Sequence, residues 1–160
     1  MLQSSAEFDA DDLKACYAKG LELLVRREHS RKELKEKLSQ RGFSEDAVES
    51  TLDLLEQDGD LNDGRFAEAF VYFRYGKGQG AERIRNELAA RGIDGYLASH
   101  PLNSSEYDWF GAARKAYIKK YGADSDVVTD MNERVKRERF MRYRGFTHEQ
   151  IRYALKGDDE

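Results

Sequence analysis

Three tetrapeptides set the architecture of this chain: Arg41-Gly42-Phe43-Ser44, Arg91-Gly92-Ile93-Asp94 and Arg144-Gly145-Phe146-Thr147. Each reads arginine, glycine, apolar residue, capping residue, and the glycines stand 50 and 53 positions apart. Such self-similarity at a fixed period is the signature of a repeat protein. The physics of the tetrapeptide is that of a turn between helices. Glycine just past a helix end adopts the left-handed conformation without a Cβ penalty. Arginine in the last turn suits the negative end of the helix dipole. Ser, Asp or Thr then caps the next helix. Phe43 with Val48, and Phe146 with Ile151, have the spacing of a hydrophobic staple, and Thr147 with Gln150 that of a capping box.

A helix is expected upstream of each turn. Leu34 and Leu38 precede Gly42 at the same offsets at which Ile84 and Leu88 precede Gly92. Ser30 and Glu33 form a capping box for the first, and Gly80 stands at the position equivalent to Ser30. In the third copy Met141 matches Leu38, but Arg137 falls where Leu34 and Ile84 stand. That helix is therefore expected to bury Val135 and Phe140 by a different rotation. Before these come further helices, marked by Leu13, Cys16, Tyr17, Leu21 and Leu24, by Phe66, Phe70 and Phe73 after an Asn62 cap, and by Trp109, Ala113, Ala116 and Tyr117. A third helix follows each turn, the middle one short or absent because of Gly95, His100 and Pro101. The expected fold is all-α, an elongated, curved array of three tandem three-helix repeats whose small cores are shared by stacking. The expected division is an acidic N-terminal tail over residues 1–12, repeats over 13–60, 61–103 and 104–157, and an acidic end over 158–160.

Charge is distributed in blocks. The net charge is −4, which argues against an indiscriminate nucleic-acid binder. Yet residues 25–41 hold seven basic and three acidic side chains, and residues 44–64 hold eight acidic and no basic ones. Residues 109–121 hold four basic and no acidic ones, and residues 134–144 six basic and one acidic. The acidic run reads as a solvated face. The basic bias recurs in the second helix of each repeat, so stacked repeats would carry a basic stripe suited to phosphates or to an acidic protein surface.

Other candidate sites carry little. Gly76-Lys77-Gly78-Gln79-Gly80-Ala81 has the letters of a dinucleotide fingerprint, but a helix precedes it where a strand is required. It reads as a flexible link between helices, or as backbone N–H groups that approach a phosphate beside Lys77. His29, His100 and His148 are scattered, so no metal site is expected. The single cysteine, Cys16, lies on an apolar stripe and permits no intrachain disulfide, which suits a reducing cytoplasm. No catalytic constellation is suggested by spacing, no cofactor is expected, and no run is apolar and long enough for a membrane span.

Residues 26–34, Arg-Arg-Glu-His-Ser-Arg-Lys-Glu-Leu, followed by Arg41-Gly42-Phe43, resemble the opening signature of the RecX family. Residues 63–70, Asp-Gly-Arg-Phe-Ala-Glu-Ala-Phe, look like its second repeat, residues 78–88 like its glycine-then-helix segment, and residues 137–155 like its C-terminal basic repeat. Ala81 departs from a common proline. The resemblance implies a non-enzymatic regulator that binds along the groove of the RecA recombinase filament on DNA and suppresses filament extension, ATP hydrolysis, strand exchange and coprotease action. It also implies weak affinity for single- and double-stranded DNA; a monomer is expected, with no membrane partner. The residues expected to anchor the filament electrostatically are Arg26, Arg27, Arg31 and Lys35, then Arg74, Lys77, Arg83 and Arg85, then Arg137, Arg139, Arg142 and Arg144. A helical DNA-binding protein acting without RecA, and a helical scaffold for other proteins, are the competing readings.

Overall fold

The computed structural model describes residues 7–123 and 130–156; the acidic end over 158–160 lies outside them, as do residues 1–6 of the N-terminal tail. Among the described residues there are nine α-helices and no strand: α1 (Leu13–Arg26), α2 (Arg31–Gln40), α3 (Glu45–Gln57), α4 (Asp63–Gly76), α5 (Ala81–Ala90), α6 (Gly95–Leu102), α7 (Trp109–Tyr121), α8 (Met131–Tyr143) and α9 (His148–Lys156). They form three tandem three-helix domains. The chain divides into two compact units, residues 1–66 and 67–160.

In the first unit the caps are those the sequence calls for. Ser30 Oγ accepts from Glu33 N while the Glu33 carboxylate accepts from Ser30 N, and Ser44 Oγ accepts from Ala47 N. Each satisfies an amide left without an intrahelical partner. α1 and α2 pack on α3 around Cys16, Leu34, Leu38, Val48, Leu52 and Leu55, with Phe43 against the cluster. A leucine buried this completely contributes roughly 1.5–3 kcal/mol.

Gly42, Gly92 and Gly145 all take left-handed backbone, with φ of 95°, 81° and 103°. The three repeated turns are thus αL helix ends, as the tetrapeptides predict.

In the second unit the third helix of the middle repeat is short, one of the two outcomes expected, and α8 departs from expectation. α6 is formed, with eight residues, although it contains Pro101. Pro101 forgoes one helical hydrogen bond, but its ring is buried with Ala98 and Leu102. Trp109 Nε1 donates to the Leu102 carbonyl at 3.0 Å, satisfying a group the helix end leaves open.

The departure is in α8, which keeps the rotation of α2 and α5. Met141 is fully buried, whereas Val135 is 42% exposed. Arg137 stays in the aliphatic register position because two aromatic residues of α7 receive it. Its Nη1 donates to Tyr117 Oη at 2.8 Å, its Nε donates to Glu133 Oε1 at 3.0 Å, and its guanidinium lies 4.5 Å from the Tyr121 ring centre. A planar, weakly hydrated cation with a long aliphatic stem can occupy such a half-buried place. Around it Ala113, Tyr117, Met141, Phe146, Ile151 and Ala154 form the core of the third repeat, with Phe140 packed at its edge.

Candidate functional site

Two basic side chains of the first unit, Arg31 and Lys35, pair with an acidic helix. Glu49, Asp53 and Glu56 recur at helical spacing, so they share one face of α3. Arg31 meets all three: Nη2 lies 2.8 Å from Glu49 and 3.0 Å from Asp53, and Nη1 lies 2.8 Å from Glu56. Lys35 adds a 2.7 Å contact to the other oxygen of Glu49. Burial works against the charge on Arg31, but the carboxylates outweigh it and raise its pKa further above the ordinary guanidinium value. Lys35 first and then Arg31 hold the Glu49 carboxyl below its usual range. This face of α3 therefore pairs with α2 within the repeat, while Glu49, Asp53 and Glu56 stay 39%, 65% and 44% exposed, a face still open to solvent.

Arg27 donates to the Glu28 carbonyl at 2.8 Å and forks onto both oxygens of Glu33. His29 lies beneath this corner, 1% exposed, with Nδ1 3.0 Å from the Arg27 carbonyl and Nε2 2.9 Å from Lys37 Nζ. The carbonyl requires a proton on Nδ1, which leaves Nε2 to accept from the ammonium. Arg26 projects into solvent, 3.9 Å from Glu22.

In the second unit the glycine-rich linker is clamped. Arg144 donates from Nη2 to the Lys77 carbonyl at 2.6 Å and from Nε to the Gly78 carbonyl at 3.3 Å. In return Gly80 N donates to the Arg144 carbonyl at 2.7 Å and Glu82 N to the Gly145 carbonyl at 3.1 Å. The two backbones touch: a Cβ on Gly80 would sit 2.3 Å from the Gly145 carbonyl carbon. Residues 77–79 also donate their amides internally, to Phe73 and Arg74, Tyr75, and Arg74 respectively. The linker is therefore not free, and its N–H groups are not available to a phosphate.

The remaining residues expected at a binding surface differ in how far they are committed. Arg74 and Arg83 both pair with Glu87, at 3.0 and 3.1 Å, and lie over the rings of Phe70 and Tyr143. Arg85 reaches Ser99 Oγ at 3.3 Å. Lys77 lies over the Phe73 ring. Arg139 and Arg142 are exposed on α8 and make no ion pair among the described residues. The structure thus leaves Arg26, Arg139 and Arg142 most open to a partner and gives Arg31, Arg137 and Arg144 internal work.

A cleft of about 700 Å³ lies in the second unit beside the clamped linker. Its floor comes from Gly111, Ala112 and Ala116, and its rim from Lys115, Lys119 and Lys120, all on α7. None of these lysines is among the residues the sequence singled out, although the block of four basic residues without an acidic one was the visible signal. Among the described residues, no group of three His, Cys, Asp or Glu side chains could hold a metal ion, and no helix is long and apolar enough to cross a membrane.

The sequence matches three family models in order: the first three-helix domain of RecX over residues 16–55, the second over 62–100 and the third over 106–155. The Regulatory protein RecX of Chromohalobacter salexigens is 43% identical over 135 residues, 84% of this chain and 87% of that protein. That of Halorhodospira halophila is 41% identical over 140 residues, 88% of this chain and 86% of that protein. The crystal structure of RecX from Lactobacillus salivarius has the same fold, with a TM-score of 0.73 and 23% identity over 92% of this chain and 96% of that one. Three matched domains in sequence order, on nine helices grouped in threes, place this chain in the RecX family of regulatory proteins.

Proposed function

We propose that this chain binds the RecA filament on DNA and inhibits its extension, ATP hydrolysis, strand exchange and coprotease action. It acts as a cytoplasmic monomer and not as an enzyme, with the repeats over residues 13–60, 61–103 and 104–157 as its modules. The observation that carries this reading is the ordered match to all three RecX domains. A protein-coated DNA filament presents both acidic side chains and phosphates. Exposed guanidinium groups with no ion pair among the described residues, such as Arg139 and Arg142, suit either. Weak binding to single- and double-stranded DNA follows from the same groups.

The test is RecA's DNA-dependent ATPase at protein levels below one per RecA protomer, joined to co-sedimentation with RecA–DNA filaments, with DNA alone and with RecA alone. Inhibition of the ATPase with sedimentation only alongside the filament is expected. Undiminished ATPase and strand exchange at equimolar protein would overturn the reading. Sedimentation with DNA alone to the same extent would point to a DNA-binding protein that acts without RecA.

A further inference from the structure

The cleft beside the linker has a cationic rim over a small apolar floor. Gly111, Ala112, Lys115, Ala116 and Lys119 follow one another every one or three residues on α7, with Lys115 and Lys119 four apart, so they occupy one face of that helix. Ala112 and Ala116 are half-buried against the core of the third repeat, and small side chains there let another backbone come close. Lys115 and Lys119 are exposed and make no ion pair among the described residues. Asp108 is the one carboxylate in the lining, and its Oδ1 already accepts from Gly111 N.

The first unit shows what covers a cationic helix face in this chain. There Arg31 and Lys35 of α2 are met by Glu49, Asp53 and Glu56 of α3, an acidic helix that also carries Leu52 and Leu55 into the core. Among the described residues, no such helix meets the lysine face of α7. A nucleic acid strand fits the cleft less well. Tyr75 is packed against Tyr107 and Trp109, and Lys120 lies over the Phe140 ring at 5.3 Å, so the lining aromatics are already engaged where a base would stack. The linker amides that could have held a phosphate are donated internally.

We propose that this cleft is the docking site for an acidic amphipathic helix of a protein partner. Carboxylates at i and i+4 of that helix meet Lys115 and Lys119, and an apolar side chain rests on Ala112 and Ala116. The site is separate from Arg139 and Arg142 of α8, on which the proposed filament binding rests, and its test needs neither RecA nor DNA, so either reading can fail alone.

The probe is a fluorescein-labelled helical peptide with glutamates at i, i+4 and i+7 and leucines on the adjoining face. Its anisotropy is followed as intact protein is added. Controls are the same peptide with lysine at each glutamate position, and an oligothymidylate. Saturable binding of the glutamate peptide alone is expected, weakened about tenfold or more by Lys115→Glu with Lys119→Glu, since like charges then face each other. Ala112→Leu, which fills the floor, is expected to weaken it as well. Circular dichroism melts check that each variant is folded; because both lysines are exposed, the charge reversal decides the matter even if Ala112→Leu does not fold. Absence of saturable binding, unchanged affinity in the folded lysine variant, or equal binding of the oligothymidylate at the same lysines would overturn the proposal.

Discussion

Arg144 donates to the carbonyl oxygen of Lys77 at 2.6 Å across 67 positions of sequence, which ties the turn between α8 and α9 to the glycine-rich linker before α5. A guanidinium that bonds two carbonyls is anchoring backbone. Arg144→Ala is expected to lower stability by roughly 1–3 kcal/mol, the range for losing charged hydrogen bonds from groups that stay partly buried. Arg144→Lys should rescue little, because a point ammonium cannot reach both carbonyls in the fork geometry. Urea unfolding of the three proteins checks this.

The turn glycines should differ in their tolerance of alanine. All pay for positive φ, roughly 1–2 kcal/mol. At Gly42 a Cβ would meet only the Phe8 ring, 3.2 Å away, and that ring can shift. At Gly145 it would lie 2.3 Å from Arg83 Cβ and 2.7 Å from Arg83 N, where nothing can yield without moving α5. Thermal melts are expected to place Gly145→Ala well below Gly42→Ala; equal losses would mean that the two backbones can part at little cost.

Arg31 is held by three carboxylates of α3, so its removal should act through the fold. Arg31→Ala is expected to cost about 1–2 kcal/mol, above an isolated surface pair because the charges form a network. Arg31→Glu should cost more, since it adds a carboxylate to Glu49, Asp53 and Glu56. A double-mutant cycle with Glu56→Ala in chemical denaturation should return a coupling energy of the same sign, reduced by added salt.

His29 gives the first unit a pH dependence. Burial first, and then the nearby charges of Arg27 and Lys37, lower its pKa below the ordinary histidine value, against the pull of the Arg27 carbonyl and Glu33. The unfolded chain therefore takes up the proton more readily than the folded one. Stability from the neutral ring is complete above the unfolded pKa of about 6.5 and is lost as pH falls below it. Glu33, also lowered in the fold, loses its contribution only in the more acidic carboxylate range. The urea midpoint should fall between neutral pH and about pH 5, and His29→Gln should flatten that part of the profile.

Filament binding should respond to the open arginines of α8. Arg139→Glu with Arg142→Glu is expected to weaken binding with the melting temperature unchanged. Each lost phosphate contact should flatten the slope of log affinity against log salt by roughly 0.7–0.9. Arg31→Glu with Lys35→Glu should weaken binding only together with a loss of stability. Co-sedimentation across a salt series, alongside melts, separates the two; unchanged binding by the α8 variant would move the contact surface elsewhere.

The three Arg-Gly-apolar-cap tetrapeptides, the Ser30–Glu33 box and the apolar residues at fixed offsets from the glycines were enough to define three helical repeats, with only the middle third helix left short or absent, because each of these signals acts within one or two helical turns. What linear order left open was the destination of the charges. Arg31, Arg137 and Arg139 look alike in a basic block, yet Arg31 finds carboxylates 18 to 25 positions away, Arg137 finds a tyrosine hydroxyl 20 positions away, and Arg139 finds no ion pair among the described residues. A long cationic side chain is satisfied by whatever group the packing brings within reach. Only the placement of α2 against α3, of α7 against α8, and of Arg144 over the linker could divide the basic residues into those that hold the repeats together and those left for a partner.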